Sequence, residues 1–263
     1  MRVLIAFGAA ALLLGASAAL AFPPIDLTTS AATYTSTDGT IWTQLVNSPT
    51  GTGVYDPFVR LQANGTEEGM NTSGDAHATY DDVAGTWTHA VQLNQLATVN
   101  QGGTDYYSFS LDINEANGGG KSFLSLDELR LYTLAGDGSL TSTADVVSAG
   151  GVLRYDLDAT SDQDVYMDYN LAAGSGHDDI QVLIPTSYFS GASGTDYLYF
   201  YSKMGATTGM EADFTSDAGF EEWHGLLGTT NNPPPPTNLP EPNGIVLIGT
   251  GILGILGTRQ RRK

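Results

Sequence analysis

Apolar and polar residues alternate along most of this chain at the two-residue period of an extended strand, in short segments separated by turn-forming residues. The clearest segment is Tyr106 to Asn114. Tyr107, Phe109, Leu111 and Ile113 share one face, expected in the core; Ser108, Ser110, Asp112 and Asn114 share the other, expected in water. Thr40 to Val46, Phe58 to Gln62, Ala76 to Tyr80, Thr86 to Leu93 and Glu128 to Thr133 read as further strands. Val152 to Asp158, with Leu153, Tyr155 and Leu157 inward, and Val165 to Tyr169 predict a hairpin with an acidic outer end. Ile180 to Ile184, stopped by Pro185, Tyr197 to Ser202, Glu211 to Thr215 and Phe220 to His224 complete the set.

Polar stretches such as Asn64-Gly65-Thr66-Glu67-Glu68-Gly69, Asp81 to Gly85 and Asn117 to Gly120 punctuate these segments. No segment of helix length carries a 3.6-residue period, so regular helix is expected to be scarce. The pattern predicts an all-β fold, a single antiparallel β-sandwich of jelly-roll type over residues 22–228.

Two apolar runs lie outside that body. Arg2, the apolar stretch Val3 to Leu14 and the small residues Ala19 and Ala21 form the pattern of a secretory signal peptide, residues 1–21, with a mature start at Phe22. Residues 229–238 include four consecutive prolines and predict a stiff polyproline II spacer. Residues 239–263 then place Pro240-Glu241-Pro242, an uncharged run over 244–257 and the basic residues Arg259, Arg261, Arg262 and Lys263 in that order. As a helix the run of 14 residues is about 21 Å long, against a bilayer core of about 30 Å. Local thinning and snorkelling basic stems let so short a segment sit in a membrane, with the basic end in the cytoplasm.

Tripeptide, apolar segment and basic tail in this fixed order resemble the PEP-CTERM protein-sorting signal, over about 25 residues from Leu239 to Lys263. The resemblance implies export and transient retention in the inner membrane of a Gram-negative cell. It also implies processing near Pro240-Glu241-Pro242 by an exosortase, a membrane-embedded cysteine peptidase, followed by release to the cell surface or extracellular matrix. Gly51 to Gln62 and Asp217 to Trp223 are similar to stretches in the bodies of PEP-CTERM proteins, which implies a β-rich extracellular module without an assigned activity.

Charge narrows the partners. Of ten Lys and Arg and 29 Asp and Glu, five basic residues and one acidic residue lie outside residues 22–239, leaving five against 28 and a net charge of −23. Such a surface repels phosphate backbones, so nucleic acid is a poor partner, and it attracts cations. The absence of cysteine excludes disulfides, thiolate metal sites and a cysteine nucleophile.

Asp156, Asp158, Asp162 and Asp164 form the densest acidic run and are the candidate calcium ligands, since hard oxygen donors at close spacing suit Ca²⁺. They do not form an EF-hand loop: Ser161 stands where glycine is needed and Met167 where a bidentate glutamate belongs. The alternative is a solvated acidic edge that discourages strand-to-strand aggregation. Glu221 and Glu222 are adjacent on a strand and point to opposite faces, so they cannot flank one glycosidic bond. Surface glutamates beside a core Trp223 are the expectation, with Glu221 or Glu222 paired with a distant acid as the alternative. His77, His89, His177 and His224 lack zinc spacing and read as loop or strand-surface histidines.

The dinucleotide-type glycine pattern Gly249 to Gly254 has no preceding strand and no room for an acidic ribose partner. Neither Gly-x-Ser-x-Gly nor a phosphate loop is present, and the expectation is a protein that is not an enzyme. It is instead expected to be structural or adhesive in the cell envelope or exopolysaccharide. A carbohydrate-binding module is the alternative, suggested by 13 tyrosines, and a hydrolase ranks below it for want of an assembled nucleophile or carboxylate pair.

Overall fold

The computed structural model describes residues 23–49, 55–117, 121–174, 176–206, 214–217, 219–226 and 228. Residues 1–21, 229–238 and 239–263, with Ala19, Ala21 and the sorting residues, lie outside the described residues, as does most of the strand expected at Glu211 to Thr215. In chain order the strands are β1 Ile25–Asp26, β2 Thr33–Thr35, β3 Ile41–Pro49, β4 Tyr55–Leu61, β5 Asn64–Gly65, β6 Glu67–Met70, β7 Val91–Gln92, β8 Thr98–Gln101, β9 Thr104–Asp112 and β10 Phe123–Leu134. After helix α1 Thr143–Ser148 come β11 Val152–Asp156, β12 Val165–Asp168, β13 His177–Pro185, β14 Tyr197–Met204, β15 Ser216–Asp217 and β16 Glu221–Leu226.

Two seven-stranded sheets stack face to face. One runs β1-β12-β10-β14-β6, with β11 also on β10 and β7 on β14; the other runs β2-β3-β13-β9-β16-β4, with β8 on β9. Pairing is antiparallel except between β1 and β12. β5 and β15 form a separate two-stranded ribbon. β8 and β9 are joined at Gly102-Gly103, whose φ values of 63° and 89° are the paired positive angles of a tight hairpin turn that twists with its strands.

Alternation explains the stacking. Phe109 and Leu111 of β9, Trp223 of β16, and Ile180 and Val182 of β13 enter one core cluster with Leu124, Leu126, Leu129 and Leu131 of β10 and Phe200 of β14. Phe200 is the centre of the contact: its ring lies 5.3 Å from Phe58, 5.1 Å from Phe109 and 4.8 Å from Trp223, all on the opposite sheet. Each fully buried side chain of this size contributes about 1.5–3 kcal/mol through burial, set against the entropy of ordering the chain.

The inward leucines of β10 change from even to odd positions, which a regular strand does not permit. A register shift between Leu126 and Glu128 resolves this: the bulge inserts Asp127 and keeps all four leucines inward.

Other expectations are corrected. β11 and β12 do not form a hairpin with each other; both pair with β10, β12 at Phe123 to Leu126 and β11 at Arg130 to Thr133. Leu153 is exposed, while Tyr155 and Leu157 are buried. Ala76 to Tyr80 is a turn, because local hydrogen bonds satisfy its backbone: Ala78 N–H donates to the Asp75 carbonyl and His77 N–H to Asp82 Oδ2. The Ser108/Ser110/Asp112 face of β9 is buried, because β9 lies between β13 and β16 and their side chains roof its small residues; Gln181 Nε2 donates to Ser108 Oγ at 3.1 Å.

The outer face of the first sheet is also packed. Met70, Tyr132, Leu134, Tyr199 and Tyr201 form a second cluster with Val146 of α1, joined by Tyr80 and Leu140. Ser142 caps α1, accepting from Asp145 N–H, and Gly150, at φ 91°, lies just past its end.

Candidate functional site

The bulge in β10 positions an acidic groove. Its volume is about 620 Å³, and Asp127, Glu128 and Arg130 of β10, Lys203 of β14, Ala206, and Asp158, Asp162 and Asp164 after β11 line it. Asp127, the inserted residue, is nearly buried and accepts from Ser125 Oγ at 2.9 Å and Ala206 N–H at 2.7 Å. Glu128 is bracketed by Arg130 Nη1 at 2.9 Å and Lys203 Nζ at 3.6 Å.

Three of the four sequence-designated carboxylates therefore meet at one groove. The fourth, Asp156, faces Arg130 Nε at 3.6 Å and caps the turn by accepting from Asp158 N–H. Partial burial, then the negative charges of Asp156, Asp162 and Glu128, push Asp158 up to about 6, against the hydrogen bond from Gln163 N–H. The groove offers carboxylate oxygens to cations and polyols. Among the described residues, however, no three His, Asp or Glu side chains are arranged as a metal ion requires.

A second group has a feature that sequence spacing did not reveal. Register shifts beside His224 in β16 and between Asp178 and Ile180 in β13 bring these strands' polar residues together. His224 Nδ1 lies 2.7 Å from Asp178 Oδ1, and both side chains are buried. Asp179 accepts from Ile113 N–H at 2.9 Å and Asp112 from Gly176 N–H at 2.7 Å. Burial is the main cause that pushes Asp112 up to about 7 and Asp179 up to about 8. His224 is thus a buried partner of an aspartate and not a surface histidine; His77 and His177 are exposed and His89 is half-buried, as loop and surface residues.

The third arrangement is aromatic. Arg60 of β4 is ion-paired with Glu222 across the sheet, and its guanidinium lies 4.9 Å from the Trp87 ring and 4.7 Å from the Phe220 ring. Both rings are more than a third exposed, at 38% and 39%. Cation–π contact on each side holds them in place. The tyrosines do not make such a surface: of those whose side chains are described, Tyr34 alone is exposed, and Tyr132, Tyr199 and Tyr201 lie under α1 and the segment after β6. The sequence signal for the aromatic pair was a lone Trp between threonines after Gly85, in a stretch expected to be strand.

A scan of protein-family models finds no match to this chain, and neither the curated proteins nor the solved structures yield a significant one. Among the described residues no helix is long and apolar enough to cross a membrane.

Proposed function

We propose that this chain is an exported, non-catalytic β-sandwich of jelly-roll type that serves a structural or adhesive role in the cell envelope or exopolysaccharide. Residues 239–263 act as a PEP-CTERM sorting signal handled by an exosortase-type peptidase, and residues 244–257 hold the precursor in the inner membrane. The observation that carries this reading is the order Pro240-Glu241-Pro242, uncharged run, Arg259, Arg261, Arg262, Lys263 behind a proline spacer. The stacked sheets and the acidic surface support it, since both suit a folded module that is soluble outside the cell. Glu241→Ala is expected to leave export intact and to block C-terminal trimming, so the precursor accumulates in the membrane fraction. Normal trimming and release of that variant would refute the sorting assignment.

The Trp87–Arg60–Phe220 arrangement favours a second reading, a carbohydrate-binding module. Exposed rings held rigidly present flat apolar faces to pyranose C–H groups at little entropic cost, while Glu222 and Arg60 supply polar contacts beside them. On this reading Trp87→Ala weakens retention of the protein on the cell's own polysaccharide in affinity electrophoresis by about tenfold, the equivalent of about 1.4 kcal/mol. Unchanged retention in a variant with an unchanged melting temperature excludes the platform.

A further inference from the structure

Three glutamates at one end of the stacked sheets are buried. Glu67 stands on β6 of the first sheet and Glu221 on β16 of the second; Glu115 follows β9. They are 0%, 0% and 4% exposed. Each has one oxygen held by a backbone donor: Ala63 N–H to Glu67 Oε2 at 2.9 Å, Asn114 N–H to Glu221 Oε1 at 3.5 Å, and Asp217 N–H to Glu115 Oε2 at 2.9 Å. The other oxygens, Glu67 Oε1, Glu221 Oε2 and Glu115 Oε1, are buried and receive no donor.

The carboxyls of Glu67 and Glu221 nevertheless lie within hydrogen-bonding reach of each other, and Glu115 is close enough to act on both by charge. Two ionised carboxylates are acceptors only and repel. A hydrogen bond between them exists only when one carries a proton.

The charges around the pair are mainly negative. Asp81, from the segment after β6, adds negative charge beside Glu67. Ser216 of β15 reaches Glu67, and its neighbour Asp217 faces Glu115. Lys121, before β10, is a nearby cation, but it is ion-paired with Asp217 at 2.9 Å and its side chain is 60% exposed.

We propose that Glu67 and Glu221 share a proton and act as a pH-released clasp between the two sheets. The groups that face the pair sharpen the response: burial pushes Glu67 upward and Glu221 well upward, and it pushes Glu115 up to about 7, further than the hydrogen bond from Asp217 N–H draws it down. A carboxyl held above its ordinary value of 4.5 binds more protons in the folded chain than in the unfolded chain. Its stabilising contribution is complete below that value and is lost as pH rises through the folded value. The clasp is therefore closed in mildly acidic surroundings and weakens through neutrality.

The test is denaturant unfolding of the metal-free protein, in EDTA, over a pH ladder from mildly acidic to mildly alkaline. Each proton held by the folded state lowers the folded-to-unfolded ratio by about tenfold per pH unit within its window. Asp112, Asp158 and Asp179 are raised as well, so the clasp is read from the difference between wild type and Glu221→Gln. The amide donates to Glu67 at every pH; the variant is expected to lose about one proton of pH dependence and to exceed wild type in stability at the alkaline end. Glu67→Gln is the reciprocal variant, and it carries the same test if Glu221→Gln does not fold. The infrared carbonyl band of a neutral carboxylic acid is expected in wild type at neutral pH and diminished in either variant. A pH slope identical to wild type in both variants overturns the clasp. So does a stabilisation by millimolar Ca²⁺ at the alkaline end that both variants abolish, which would mean that a cation and not a proton joins the oxygens.

Discussion

Replacing Trp223 with alanine is expected to lower the unfolding free energy by about 3–5 kcal/mol. The indole is fully buried, packs 4.8 Å from Phe200 across the sheets, and donates from Nε1 to Ser202 Oγ at 3.0 Å. Truncation removes the transfer energy of a large ring and leaves a cavity that the stacked strands cannot close, because their spacing is set by the remaining core. It also orphans a fully buried hydroxyl. Trp223→Phe keeps most of the volume and loses the hydrogen bond, and is expected to cost about 1–2 kcal/mol. Urea midpoints at an unchanged slope measure both losses. Against a total of about 5–15 kcal/mol for a typical domain, the alanine variant is left near the threshold of folding.

His224→Ala is expected to cost about 3–5 kcal/mol for a different reason, the removal of one partner from a buried polar pair. Asp178 is fully buried and makes its 2.7 Å contact to His224 Nδ1, and Asp112 and Asp179 lie close enough to add repulsion. Without the imidazole the Asp178 carboxylate loses the group that compensates its desolvation. Asp178→Asn in the same background is expected to recover more than half of the loss, because the amide carries no charge to desolvate. Failure of the double variant to recover stability would show that the imidazole acts by filling space. A double-mutant cycle on the two positions separates these outcomes.

The all-β class was legible because Tyr107, Phe109 and Leu111, or Leu129 and Leu131, repeat at the period that only a strand buries on one side. Three aspects were not. The β10 bulge moves the apolar face from Leu126 to Leu129, and nothing in Leu126-Asp127-Glu128 marks an insertion until a neighbouring strand supplies the register. The pairing of β11 and β12 with β10 in place of each other is a long-range choice that alternation does not encode. Burial of Glu67, Glu221 and His224 depends on what covers the outer faces and ends of the sheets, and polar residues at outward positions look the same in sequence whether they face water or another segment. The aspartates after β11 were found from sequence because they are close along the chain; Asp127, Glu128 and Lys203 of the same groove come from strands distant in sequence and were not.

The most direct test of the sorting account is the intact mass of the mature protein recovered from the native cell, with membrane and secreted fractions measured separately. The account predicts a secreted chain that begins near Phe22 and ends near Pro240. A chain that retains Arg261, Arg262 and Lys263 in every fraction would contradict it and would make residues 244–257 a permanent anchor.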